Sequence, residues 1–407
     1  MSLKNKEKLT ILIAADTYPP DVNGAAIFCY RLATAMTARG HDVHVVAGRN
    51  EPGPGIIQFN PEATIHRIQS YKAPTHESYR LTLPWKNKKD MAQLFADIKP
   101  DVVHAQCHYM VGEAAIKEAE RRRIRLIATN HFMPENLEPY LPFPRWFLDI
   151  VNKNSWKDMG KLMSKANVVT TPTPLAAKTM AAKAGLKHVL PLSNGIDYQY
   201  YEASAQEETA QAKQADEPKR ILFVGRLAIE KNIDVLLDAA AKLNGNFQVR
   251  IVGDGDQRDK LNDQAAALNL GDKVVFLGHI DDESLRQEYL LADIFCQPGT
   301  AELQSLVSLE AMSASTPVVL ANALALPHLI NAEHPNGYLF VPGDAADLAA
   351  KLQTLLDAPA EELAAMGQAS HELAMTHSVD RVMDKFEALY RGSDGGEFYP
   401  PGTANPR

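Results

Sequence analysis

Short apolar runs that break at a polar or glycine turn, each followed by helical periodicity, recur in two series along this chain, and no other feature narrows the fold as much. The first series comprises 9-LTILIAA-15, 41-HDVHVVAG-48, 64-TIHRIQ-69, 101-DVVHA-105, 124-IRLIATN-130 and 167-NVVTTP-172, with a helical pattern over 24–39 and between most later runs. The second begins at 220-RILFVGR-226 and continues through 248-QVRIVGDG-255, 273-KVVFLGHI-280, 293-DIFCQP-298, 317-PVVL-320 and 337-GYLFVP-342. Strands alternating with helices predict parallel sheets covered on both faces. At 407 residues the chain exceeds one typical domain. We therefore expect an α/β protein of two Rossmann-like, doubly wound domains, residues 1–195 and 196–377, joined near 193-SNGID-197. Ligands of such sheets bind outside the carboxyl ends of the strands, which for two facing sheets is the cleft between them.

Helical stretches at 344–356 and 360–374 close the second domain, and 378–391 has apolar residues spaced to pack on a neighbour. The segment 202–219 is polar and reads as an exposed insertion, while the Gly/Pro-rich tail 392–407 reads as disordered. The formal charge of -8 gives no support for nucleic-acid binding, which favours a basic face. Cys29, Cys107 and Cys296 lie far apart beside apolar stretches, as buried thiols do, and imply a reducing, cytoplasmic setting. The lysines before the first apolar run imitate a signal peptide, yet the run ends at Asp16 without a cleavage site and reads as a strand. No stretch approaches the roughly 20 apolar residues of a membrane span.

The candidate chemistry follows strands. In 298-PGTAELQSLVSLEAMSASTP-317, Glu302 falls on a strand-to-helix turn and Glu310 inside the next helix. A helix N-terminus suits a phosphate and carboxylates suit hydroxyls, so the stretch fits a sugar nucleotide; it equally fits a helix cap at Glu302 and a solvated Glu310. Arg226 and Lys231 flank the first turn of the second domain, where two cations can hold a diphosphate, or pair with Glu230 or Asp234. Gly24 opens the first helix and lets a phosphate or sugar approach backbone N–H groups, unless it is a plain turn. His131, in 129-TNHFMPENL-137, follows a strand and faces a sugar hydroxyl, or is structural. Asp281 and Asp282 follow another strand; one carboxylate can accept from guanine, while an N-cap accounts for at least one of them. His104 and His108 stand four apart without a completing carboxylate, and no metal site is expected. The GDGD at 253–256 is only a fragment of a dinucleotide fingerprint, its third glycine missing, and gives that chemistry little support.

Together PPDVNGAA, TNHFMPENL, SNGID, FVGRLAIEKNID, IVGDGDQRDKL, FLGHIDD and the two spaced glutamates resemble the retaining GT-B glycosyltransferases of family 4, over roughly residues 9 to 390. The group includes phosphatidylinositol mannosyltransferases and glycolipid glucosyltransferases. The resemblance implies transfer of a sugar from a nucleotide-diphosphate sugar, with retention and no obligatory metal or other cofactor. It makes Arg226 and Lys231 the diphosphate pair, Glu310 the ribose acid and Glu302 the acid on the donor sugar. His131 is then beside the reacting sugar, Gly24 belongs to the first-domain loop, and Asp282 matches a base-contacting position. The helix 378–391 would return to the first domain. Two departures stand out. Asn23 and Ala25 flank Gly24 where many relatives have paired glycines, and Gln304–Ser305 replaces a Phe–Gly pair.

The expected donor is GDP-mannose, with UDP-glucose second, and the expected acceptor is a lipid or glycan precursor. A non-catalytic nucleotide-sugar-binding module and a sugar-nucleotide epimerase of the same fold are the alternatives. The stretch 142–166 mixes Trp146, Phe147 and Trp156 with Arg145, Lys153, Lys157, Lys161 and Lys165; it suits peripheral contact with an anionic membrane at the inner face of the plasma membrane, or a surface helix with an aromatic core face. RRRIR (121–125) and KNKK (86–89) add positive charge to the same domain.

Overall fold

The computed structural model describes residues 3–21, 23–73, 76–134, 143–203 and 217–398. Most of the insertion expected at 202–219, the end of the motif 129–137 and the tail from 399 lie outside the described residues. The chain divides into two compact units, Met1–Gly195 with Asp380–Arg407, and Ile196–Val379.

The first unit is built on an eight-stranded sheet. Its strands are β1 (Thr10–Ala14), β2 (Asp42–Gly48), β3 (Ile56–Asn60), β4 (Ala63–Ile68), β7 (Val102–Ala105), β8 (Arg125–Thr129), β9 (Val168–Thr171) and β10 (Leu190–Pro191); β5 (Tyr71–Ala73) and β6 (His76–Leu81) form a separate hairpin. The order is β10-β9-β8-β7-β1-β2-β4-β3, parallel except for β3 at the edge. Ile11 to Ala14 are fully buried, as a strand with helices on both faces requires. The strands β3, β5 and β6 are not among the runs read from the sequence; β3 is an edge strand whose apolar Ile56, Ile57 and Phe59 are all exposed.

The C-terminal helix Val379–Arg391 completes this unit from Asp380 onward. Phe386 packs on Phe28, ring centres 5.5 Å apart, and Tyr390 is hydrogen-bonded through Oη to His104 Nδ1 at 2.6 Å. The other nitrogen of His104 meets Thr129 Oγ1 at 2.6 Å, which in turn meets Thr170 Oγ1, so one chain of hydrogen bonds crosses β7, β8 and β9. Burial pushes His104 down to about 3 and keeps it neutral. Part of the tail expected to be disordered is held as well. Arg125 donates to the carbonyls of Leu389 and Ser393, and a short turn of helix covers Gly396–Phe398. Ser378 and Val379 stay with the second unit, because Ile196 bridges to Ser378 and accepts from the Val379 N–H.

The second unit has a six-stranded parallel sheet, β13-β12-β11-β14-β15-β16, made of β11 (Lys219–Val224), β12 (Phe247–Val252), β13 (Val274–Gly278), β14 (Ile294–Gln297), β15 (Val318–Ala321) and β16 (Gly337–Phe340). Chain order reverses between β11 and β14, the place where such sheets open a crevice. The glycines of 253-GDG-255 serve that crevice by packing. A Cβ on Gly253 would lie 2.0 Å from the Gly225 carbonyl oxygen, and one on Gly255 2.4 Å from that of Leu227. Only glycine lets the turn after β12 press against the turn after β11, where Leu227 N–H donates to the Asp254 carbonyl at 2.9 Å. The motif serves a backbone contact here.

Gly24 stands in contrast, because a Cβ there would meet nothing within 4 Å. We predict that Gly253→Ala lowers unfolding free energy by about 3 kcal/mol or more. Gly24→Ala should leave it unchanged or raise it by up to about 1 kcal/mol. Urea titrations of the two variants beside wild type check this, and equal losses would contradict it.

Candidate active site

Every candidate of the second unit follows a strand at the carboxyl edge of its sheet: Arg226 and Lys231 after β11, Asp281 and Asp282 after β13, Glu302 after β14. The loops after β11 and β14, neighbours at the reversal of strand order, are tied together. Asn232, in the left-handed region at φ 49, donates to the carbonyl of Pro298 and to Thr300 Oγ1, each at 3.3 Å. Thr300 N–H donates to the Glu230 carbonyl at 3.2 Å. This clamp brings Lys231 Nζ onto Glu302 Oε1 in an ion pair, with side chains only 21% and 14% exposed. Arg226 is more open, at 46%, and donates to Glu230 Oε1 at 2.7 Å. The plain alternative for the two cations, pairing with Glu230 or Asp234, therefore holds for Arg226. Lys231 instead takes the carboxylate assigned to a sugar.

Glu310 lies inside the helix Leu306–Ser313, 9% exposed, and Oε2 accepts from Tyr289 Oη at 2.7 Å. It is not the solvated helical glutamate of the plain alternative. Ser305, at the N-cap of that helix, makes no side-chain cap and is hydrogen-bonded to Ser308 Oγ at 2.7 Å, so the first-turn amides are not closed off by it. Gln304 and Ser305, the departures from the family pattern, are both buried. Asp281 is the N-cap of the helix Asp282–Leu290, accepting from the Ser284 N–H at 2.9 Å and from Ser284 Oγ at 3.0 Å. Those bonds hold its carboxyl below the ordinary range. Asp282 opens the helix and is exposed.

In the first unit, Gly24 begins the helix Gly24–Ala38 after β1, and Asn23 caps it by accepting from the Ala26 N–H at 2.9 Å. His131 follows β8. Its Nε2 meets Gln106 Oε1 at 2.7 Å, and its ring lies 4.9 Å from that of Phe28. A carbonyl oxygen facing Nε2 requires the proton there, which leaves Nδ1 as an acceptor. Burial pushes His131 down to about 3, so it stays neutral and suits a hydroxyl, not a proton relay.

Sequence reasoning missed Glu302 as the partner of Lys231, Tyr289 as that of Glu310 and Gln106 as that of His131. It also passed over Asp16, at the end of β1. One oxygen of Asp16 accepts from the Val111 N–H at 2.9 Å, and the other is buried with no partner among the described residues. Burial raises this carboxyl to about 7, with Glu113 adding to the rise. Among the described residues no cluster of His, Cys, Asp and Glu suits a metal ion, and His104 is occupied as described above.

The two basic runs are partly engaged within their own unit. Arg121 and Arg122 both pair with the single Glu118, and Arg125 binds carbonyls of the C-terminal segment, so RRRIR is partly engaged while keeping more positive charge than that one carboxylate offsets. In KNKK, Lys86 donates to Gln69, and Asn87 is buried on Thr82. Trp156 is likewise a core residue, 4% exposed, whereas Trp146 on the same helix, Arg145–Met163, is 65% exposed.

Two family models match this chain, Glycosyltransferase Family 4 over residues 22–200 and Glycosyl transferases group 1 over 204–373. The Sulfoquinovosyl transferase of Arabidopsis thaliana is 28% identical over 312 residues, 75% of this chain and 58% of that protein, so the chain spans under two thirds of its length. A GDP-mannose-dependent alpha-mannosyltransferase of Mycolicibacterium smegmatis is 26% identical over 77% of this chain and 80% of its own. Sucrose-phosphate synthase from Thermosynechococcus elongatus superposes with a TM-score of 0.76 at 21% identity, covering 95% of this chain and 98% of that one.

The charge of Asp16 has a pH consequence. With its carboxyl raised from 3.8 to about 7, the native state keeps a proton that the unfolded chain releases near pH 4. Its contribution is complete below about pH 4 and is lost as pH rises through 7. The buried histidines, held neutral, act in the opposite sense, losing theirs as pH falls below 6.5. Asp16→Asn keeps the acceptor for Val111 and removes the titration. Between pH 4 and 8, variant stability relative to wild type should rise by an amount on the order of 4 kcal/mol at most. Denaturant midpoints at the two ends report it, and a constant difference would show that Asp16 titrates normally.

Proposed function

Since the chain belongs to the glycosyltransferases of group 1 and family 4 and has their GT-B fold, we propose that it is a hexosyltransferase that moves a hexose, with retention and without a metal, from GDP-mannose to a lipid or glycan-precursor acceptor. The observation that carries this reading is the clamp at the β11/β14 reversal, which sets Lys231 against Glu302 with Arg226 on the same loop. A donor diphosphate competes with the carboxylates for these cations. Once it takes Lys231, Glu302 is released to accept from hydroxyls of the donor sugar. The amides opening Leu306–Ser313 add a positive dipole end.

Charge on the departing diphosphate is then offset by Arg226, Lys231 and that helix end. The acceptor hydroxyl attacks from the face the phosphate leaves, and a phosphate oxygen takes its proton; no protein nucleophile is needed. His131, neutral with a bare Nδ1, accepts from a sugar hydroxyl beside Gly24, where the absence of a Cβ leaves room that packing does not demand. Asp281 is engaged as a cap, so Asp282 is the carboxylate offered to guanine, which has paired N–H donors that uracil lacks. That choice, and the GDP-mannose dependence of the mycobacterial relative, favour GDP-mannose over UDP-glucose.

Removing one charge-stabilising donor commonly costs about 3 kcal/mol of barrier. Arg226→Ala and Lys231→Ala should each lower turnover at least about 100-fold with the fold intact by circular dichroism. Release of GDP from GDP-mannose, with and without acceptor, measures it; wild-type turnover in both variants would remove the assignment.

The acceptor reading includes peripheral contact with a membrane. No helix among the described residues is long and apolar enough to cross one. The helix Arg145–Met163 exposes Trp146 and Ile150 near its start, with Phe143 just before it, and the exposed Lys153, Lys157 and Lys161 farther along. An aromatic end followed by lysines suits an anionic interface. Wild type should sediment with phosphatidylglycerol vesicles at low salt, and the double variant Trp146→Ala, Ile150→Ala should lose most of that binding. Wild-type protein left in the supernatant would dispose of the membrane contact.

A further inference from the structure

Glu310 does not hold its carboxylate alone. Tyr289 is fully buried on the helix Asp282–Leu290, and its hydroxyl donates to Glu310 Oε2 at 2.7 Å. We propose that Tyr289 is the positioning residue that makes this site select ribonucleotides, by fixing the Glu310 carboxylate against the ribose diol. This rests on the donor-binding reading above, in which Glu310 is the ribose acid.

Three observations support it. The phenol ring is fixed from two sides, edge-on to Tyr201 at 5.4 Å and 6.2 Å from Phe295, so the hydroxyl has a defined place from which to donate. Tyr201 belongs to the turn Gln199–Tyr201, which is bound to the same helix, since Arg286 Nε donates to the Tyr200 carbonyl at 2.6 Å and Nη2 to that of Glu202 at 2.9 Å. Burial first, and then the neighbouring carboxylate, push the Tyr289 phenol well above its ordinary value, so it remains a donor at any working pH.

A phenol in that surrounding has no packing purpose that phenylalanine would not serve, and a buried hydroxyl without a partner is unfavourable. Its bond to an ionised carboxylate is charge-assisted and occupies one of about four acceptor sites on that group. Fixing one oxygen removes the carboxylate's freedom to rotate, and a pre-oriented acceptor binds a diol more tightly than a mobile one. A site built to bond a hydroxyl discriminates strongly against the analogue lacking it. The helix also links two parts of the donor. Asp282, offered to the base, and Tyr289, holding the ribose acid, are seven residues apart and so share a face about two turns apart.

Tyr289→Phe tests this, because it keeps the ring and removes only the hydroxyl. Calorimetric Kd values are measured for GDP and for 2′,3′-dideoxy-GDP, with the UDP pair run alongside. Wild type should prefer the ribonucleotide, and the variant should bind it about tenfold more weakly, with dideoxynucleotide affinity unchanged. Glu310→Gln should abolish the preference, and adding Tyr289→Phe to it should change nothing further. If wild type shows the preference and Tyr289→Phe retains it in full, or weakens both nucleotides equally, the positioning role is overturned while the ribose assignment of Glu310 stands. If wild type binds both nucleotides alike, the ribose assignment itself fails and this inference with it.

Discussion

A lysine and a glutamate 71 residues apart, Lys231 and Glu302, meet because two loops leave adjacent strands where chain order reverses. Everything at the carboxyl edge of the second sheet depends on that meeting being held from behind. Asn232 supplies the hold by adopting a left-handed backbone that aims its amide at the Pro298 carbonyl and Thr300. The glycines at 253 and 255 supply another, letting the neighbouring turn press in without a side chain between. An ion pair in such a place is a poised state. Each charge is satisfied by the other.

Much of this was legible before any coordinates, and the reason is physical. Parallel strands buried on both faces read as continuous apolar runs, so β1, β7, β8, β11 and β14 announce themselves, and residues just past them fall at the sheet's carboxyl edge. The pairing of Arg226 with Glu230 was equally readable, since four residues separate them. What stayed hidden were contacts set by tertiary packing. Nothing local marks Tyr289 as the partner of Glu310 or Gln106 as that of His131, because their spacings of 21 and 25 residues follow from strand order. The edge strand β3 was invisible for the opposite reason: its exposed Ile57 and Phe59 break the rule that apolar residues mark the interior.

The basic runs of the first unit show how composition misleads when partners are unknown. RRRIR looks like a charged surface, yet three of its arginines are committed to Glu118 or to the carbonyls of the C-terminal segment. On Arg145–Met163, Trp146 faces outward and Trp156 inward. Alternate faces of one helix thus carry core and surface roles that a count of aromatics merges.

The return of residues 380–398 to the first unit ties its completion to the far end of the chain. Phe28 acquires Phe386 as a neighbour, and His104 acquires Tyr390, only at the C-terminal helix, 286 residues beyond His104 in the latter case. During synthesis the first unit therefore lacks Phe386 and Tyr390 until after the second unit, continuous from 196 to 379, has been made. The unit begun before its neighbour is thus completed by residues added after it.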